Sequence, residues 1–123
     1  YTTHMQYADY HFVNHPDHRA IGEATMNACF PLARDLLSFP QHLRKGLLPH
    51  KVKELWLVNF EKGNHTVDIT GTFEKKLQSL AAHKSQLDDF PRIKERLAKR
   101  AISYGEEEGF SFAESFIRLQ LKD

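Results

Sequence analysis

The sequence predicts a mixed α/β domain, and three observations carry that prediction. Leu55-Trp56-Leu57-Val58 is a continuous apolar run, the mark of a strand covered on both faces as in the parallel sheets of α/β folds. Phe73, Leu77, Leu80 and Ala81 recur at helical spacing, and so do Ile93, Leu97, Ala101 and Tyr104. The elements follow in the order helix, strand, short strand, helix, helix, strand, which is thin for a self-sufficient parallel sheet of about five or six strands.

Each element has its own signal. Residues 1–14 show no clean period and read as an extended loop. Pro16 suits the first position of a helix, and Ile21, Ala24, Ala28 and Leu32 continue at helical spacing. Pro31 lacks an N–H, so the helix should run to about Cys29, break, and resume as a short helix through Leu36-Leu37. Cys29 reads as a small buried hydrophobe. Residues 38–51 form a connection carrying His42 and His50, both isolated histidines. Val52 to Phe60 is the clearest strand, Glu61 to Asn64 a turn, and His65 to Ile69 a short β-branched strand. A second helix runs from Thr70 to about Lys84, with Thr70 or Thr72 as its cap and His83 at its C-terminus. A third runs from Pro91 to about Gly109, with Arg92, Lys94, Arg96, Lys99 and Arg100 as a solvated face. Phe110 to Leu121 is a terminal strand or an ordered tail on the core.

Composition narrows the function. The 123 residues make one domain or part of one. Lys plus Arg number 17 against 16 Asp plus Glu, so there is no electrostatic footprint for nucleic acid. The single Cys29 excludes an internal disulfide framework and suits a reducing compartment. No apolar run approaches a membrane span, and the stretch Tyr1-Thr2-Thr3-His4 lacks the basic and apolar regions of a signal peptide. A cytoplasmic protein with no membrane partner is the expectation. Eight histidines turn attention to metal chemistry.

The strongest candidate site is His15-Pro16-Asp17-His18, followed by Arg19-Ala20-Ile21-Gly22. It reads as a loop entering a helix, with Asp17 in the first turn where the dipole favours negative charge. His15 and His18 are three apart and share a helix face. A neutral His18 suits a metal ligand, while His15 beside Asp17 suits a general acid or an oxyanion donor. A closed zinc site needs further protein ligands, and no other carboxylate has a spacing that marks it as one.

The residues from His15 to Gly22 resemble the second metal motif of the LmbE/PIG-L family of zinc-dependent N-acetylglucosaminyl deacetylases. Pro49 to Leu57 resembles the strand that follows. Val67-Asp68-Ile69-Thr70 through Lys76, then His83-Lys84-Ser85-Gln86, resembles the next helix and its end. Three ordered stretches, over roughly residues 14 to 90, are far more specific than one histidine pair.

The resemblance implies the C-terminal part of a Rossmann-like fold, a parallel sheet flanked by helices. It implies hydrolysis of the acetamide of a small-molecule N-acetylglucosamine-type conjugate, with zinc as cofactor. His18 would be a zinc ligand, His15 would stabilise the oxyanion or protonate the departing amine, and Asp17 would support it. The family's first motif, an Ala-His-Pro-Asp-Asp-Glu run supplying the other ligands and the base, has no match here, and Val13 replaces a frequent tyrosine for which Tyr10 is the nearest substitute. The resemblance therefore implies that residues 1–123 are the C-terminal portion of a single deacetylase-like domain, expected to be inactive alone, with the N-terminal half of that domain as partner. Family members often associate, which implies a homo-oligomer. The missing first motif also implies an alternative, a non-catalytic binding or assembly module derived from that fold.

Overall fold

The structure, a computed structural model, describes residues 14–58 and 63–122. The expected loop over residues 1–13, Tyr10 within it, and the end of the expected strand at Phe60 lie outside the described residues. The chain divides into two compact units, Tyr1–Phe60 with Ile117–Asp123, and Glu61–Phe116.

In the first unit, α1 spans Pro16–Asn27 and runs into a wide helical turn over Ala28–Leu32. Phe30 is extended there (φ −154°, ψ 126°), the conformation favoured before a proline, so the break falls where Pro31 predicts it. The inward face of α1 differs from the expected stripe. Ile21 is exposed, as are Ala24 and Ala28, while Gly22 is buried and Thr25, Met26 and Cys29 are half-buried. The covered positions thus lie one residue on from the expected Ile21, Ala24 and Ala28.

No helix forms through Leu36-Leu37. The Asp35 carboxylate accepts from the Leu37 N–H at 2.9 Å and from the Ser38 hydroxyl, a turn that competes with helical pairing. A short α2, Pro40–Arg44, stands instead inside the expected connection, with proline in its first turn. It closes at Gly46, whose φ of +75° lets Leu47 N–H reach the His42 carbonyl at 3.0 Å.

Strand β1 is Glu54–Val58, and its burial alternates: Leu55 and Leu57 are half-buried, Trp56 and Val58 exposed. The sequence led to an expectation of cover on both faces, and only one face has it here. The Glu54 carboxylate receives both the Trp56 indole N–H and a two-pronged contact from Arg118, whose guanidinium also lies 5.6 Å from the Trp56 ring.

In the second unit, β2 is His65–Asp68 and α3 is Phe73–Ala81. Of the two expected caps, Thr70 or Thr72, Thr72 is the N-cap residue of α3, with its hydroxyl donating to the Ile69 carbonyl and making no side-chain cap bond. A tight turn at Lys84–Gln86 leads to α4, Phe90–Gly105, capped by Asp89, which accepts from Arg92 N–H at 3.1 Å. A second tight turn, Glu106–Glu108, precedes β3, Ala113–Gln120.

The first half of β3 pairs antiparallel with β2, in the register His65 to Phe116 through Asp68 to Ala113. The sheet order is β1-β3-β2. The expected parallel arrangement is thus not what this pair adopts, since β2 and β3 run in opposite directions.

The core of this unit is Phe73, Leu77 and Ala101, with Ile69, Phe90, Leu97, Ala98 and Phe112 packed on it. Phe73 and Phe112 stack at 4.1 Å between ring centres. Lys76 and Glu114 form a half-buried ion pair. Among the described residues no helix is long and apolar enough to cross a membrane.

Two predictions follow from these contacts. A Cβ at Gly105 would meet the Phe110 carbonyl oxygen at 2.3 Å, whereas one at Gly71 meets nothing within 4 Å. Gly105→Ala should lower stability by about 1–3 kcal/mol in urea unfolding, and Gly71→Ala should stay within about 0.5 kcal/mol. The Asp35 carboxyl is held below its ordinary value, first by the Ser38 hydroxyl and then by Leu37 N–H. A lowered carboxyl stabilises the turn above the ordinary value and loses that contribution as pH falls through the lowered one. Ser38→Ala should raise the Asp35 midpoint in a carboxyl NMR titration; an unmoved midpoint would acquit the hydroxyl.

Candidate functional site

The candidate site is built at the start of α1. His15 is its N-cap residue (φ −53°, ψ 139°), Pro16 opens the first turn, and Asp17 is the acid in that turn. The His15 carbonyl accepts the first helical hydrogen bond, from Arg19 N–H at 3.1 Å. His15, Asp17 and His18 are exposed, and Asn14, just before them, is buried at 5% exposure. The His15 and His18 rings lie 5.7 Å apart and tilted by 53°, so the expected pairing on one helix face is met.

The hydrogen bonds decide which nitrogen of each ring carries the proton. A backbone N–H donates and never accepts. Asp17 N–H lies 3.2 Å from His15 Nδ1, so that nitrogen holds a lone pair and the neutral ring carries its proton on Nε2. His15 N–H donates to Asn14 Oδ1 at 2.9 Å, which fixes the oxygen end of that amide. His18 Nδ1 is 3.1 Å from the same oxygen. That nitrogen must then donate, which leaves the lone pair of the neutral His18 ring on Nε2. This hydrogen-bond pattern assigns the two neutral rings opposite tautomers.

Asp17 acts on His15 through its backbone. Its carboxylate oxygen stands 3.7 Å from His15 Nδ1, beyond hydrogen-bond length. A protonated Nδ1 would exchange the backbone N–H for that carboxylate, since one nitrogen cannot serve both.

A neutral imidazole with its lone pair on Nε2 is an ordinary zinc ligand, so the chemistry of His18 fits the metal. Among the described residues, no three His, Cys, Asp or Glu side chains come together as a metal group. The other described histidines stand elsewhere: His42 is stacked on Phe39 at 5.2 Å, His50 N–H is bonded to the Ala33 carbonyl, His65 is on β2, and His83 follows α3.

Asn14 is the site residue that the sequence reading missed. A short amide four residues before His18, at the mouth of a helix, is the signal that could have marked it.

No protein-family model matches the chain. A diacetylchitobiose deacetylase of Thermococcus kodakarensis is 32% identical over 111 residues, covering 84% of this chain and 39% of that protein. An N,N'-diacetylchitobiose deacetylase structure from Pyrococcus horikoshii, complexed with its inhibitor MPG, matches with a TM-score of 0.76 and 28% identity. That match covers 94% of this chain and 42% of the other. The chain therefore spans about two fifths of the length of these relatives. Its likeness to deacetylases of the LmbE/PIG-L type, read from three stretches of sequence, is borne out in both sequence and fold.

The tautomer of His15 is open to direct test. Long-range nitrogen–proton NMR on the neutral ring should find its proton on Nε2, and Asp17→Asn should leave it there, because the backbone N–H is kept. A shift of the proton to Nδ1 in that variant would show that the carboxylate sets the ring instead.

Proposed function

We propose that this relative of the diacetylchitobiose deacetylases forms part of a zinc-dependent N-deacetylase, acting on the acetamide of a small N-acetylglucosamine-type conjugate. Water replaces the amine at the acetyl carbon, giving acetate and a free amino sugar. The observation that carries the reading is the pair of histidine rings 5.7 Å apart at the mouth of one helix, whose hydrogen bonds assign them opposite tautomers, in a chain related to deacetylases by sequence and fold.

The pair suits two different jobs. His18, with its lone pair on Nε2, is assigned as a zinc ligand. Zinc bound there would polarise the acetyl carbonyl and bring the pKa of its water to about 7. His15, with a proton on Nε2, is assigned to donate a hydrogen bond to the carbonyl oxygen as charge develops on it or, once it has taken up a second proton as the imidazolium, to hand a proton to the departing amine. Asp17 supports His15 by presenting the N–H that keeps Nδ1 unprotonated.

The remaining ligands and the base are assigned to a part of the domain outside this chain. One observation supports that assignment: the chain spans about two fifths of the length of its relatives.

The test uses the whole protein, with metal analysis and acetate release from N,N'-diacetylchitobiose. His18→Ala should lose both zinc and activity. His15→Ala should keep zinc while kcat falls by about 10²–10⁴-fold. Activity retained in His18→Ala would overturn the assignment, and a zinc-free protein that binds the sugar without hydrolysing it would favour a non-catalytic module.

A further inference from the structure

We propose that Asn14 is a positioning residue that selects the nitrogen His18 presents to a metal. The inference rests on the zinc reading for the identity of the ion, though the tautomer it invokes stands on hydrogen bonds alone.

Asn14 is buried at 5% exposure, while the two histidines it serves are exposed. A buried amide is tolerated where its polar atoms are bonded, and this one is held at two points. Its backbone oxygen accepts from the Arg19 guanidinium at 2.8 Å. Its side-chain oxygen accepts from His15 N–H at 2.9 Å and from His18 Nδ1 at 3.1 Å.

The first of those side-chain bonds governs the second. Flipping the amide would set its NH₂ group against the His15 N–H, two donors face to face. The oxygen therefore stays where it is, and His18 Nδ1 must carry a proton to bond it. The lone pair of the neutral ring then falls on Nε2. A metal-ligating histidine ordinarily donates its other ring N–H to a fixed acceptor, which sets both tautomer and orientation. Here that acceptor is a neutral amide locked by the main chain of the helix it introduces. Because the acceptor is uncharged, His18 is held without a further carboxylate beside the ion.

The whole protein is examined zinc-free by histidine nitrogen NMR, and then titrated with zinc. In the unaltered protein the His18 proton should be on Nδ1. Asn14→Ala should release the ring into a mixture of tautomers and weaken zinc binding by about 10–100-fold. Asn14→Asp restores an acceptor oxygen and should recover the Nδ1–H tautomer and most of the affinity, which a merely structural role for the side chain would not predict. A proton on Nε2 of His18 in the unaltered protein overturns the proposal without any variant having to fold. Unchanged zinc affinity in Asn14→Ala overturns it as well. If His18 keeps Nδ1–H and binds zinc through Asn14 as described, yet no acetamide is cleaved, the positioning role stands and the deacetylase reading falls.

Discussion

The N–H of His15 can only donate, and the arrangement at the start of α1 hangs on that constraint. It meets Asn14 Oδ1 at 2.9 Å, which orients the amide, and the amide in turn assigns the proton on His18. A second N–H, that of Asp17, does the same for His15 in the opposite sense. Neither step needs a charged partner or a buried ring. Both need a helix to begin here, because the first turn of a helix is where backbone N–H groups lack intrahelical acceptors. Pro16 helps to fix that start, having no N–H of its own to satisfy. The chemistry proposed for the site is thus tied to a secondary-structure boundary.

The parts of the fold legible in the sequence are those where bulky side chains repeat. Phe73 and Leu77 were placed inward by spacing and are buried, and Ile93, Leu97, Ala101 and Tyr104 share the inward face of α4. Each of these positions removes enough apolar area from water, at about 25 cal/mol per Å², to outweigh local preferences. The expected strand at His65 to Ile69 and the terminal strand are found as well, the β-branched Thr66 and Val67 standing opposite Ser115 and Glu114, and Phe116 opposite His65. The direction of that pairing was not legible, because an apolar run says how well a strand is covered and nothing about its neighbour's sense.

Other misplacements share a cause, in that small polar contacts decided what periodicity could not see. Leu36 and Leu37 read as helix, yet the Asp35 side chain takes the Leu37 N–H and the Ser38 hydroxyl and turns the chain. Thr72 holds the cap position as read, yet its hydroxyl looks back to Ile69 and leaves the first-turn N–H groups of α3 to other partners. The inward face of α1 is set by Met26 and Cys29, because Ala24 and Ala28 contribute too little area to hold the expected rotation. In β1 the apolar run is real, but only Leu55 and Leu57 find cover among the described residues.

The histidine pair shows how far a motif can be read before geometry is needed. Sequence places His15 and His18 on one face and offers His18 as a metal ligand and His15, beside Asp17, as an acid or oxyanion donor, without a reason for which nitrogen of either ring carries the proton. Their positions in the helix supply one. His15 is the N-cap, so its ring lies beside an N–H of the first turn and becomes an acceptor at Nδ1. His18 is one turn further in, where the same nitrogen faces back to the amide of Asn14 and becomes a donor. Three residues of helix therefore move the proton of a neutral imidazole from one ring nitrogen to the other. A single short motif can then offer a lone pair and a hydrogen-bond-donating N–H side by side, a pairing suited to holding a metal and a developing oxyanion.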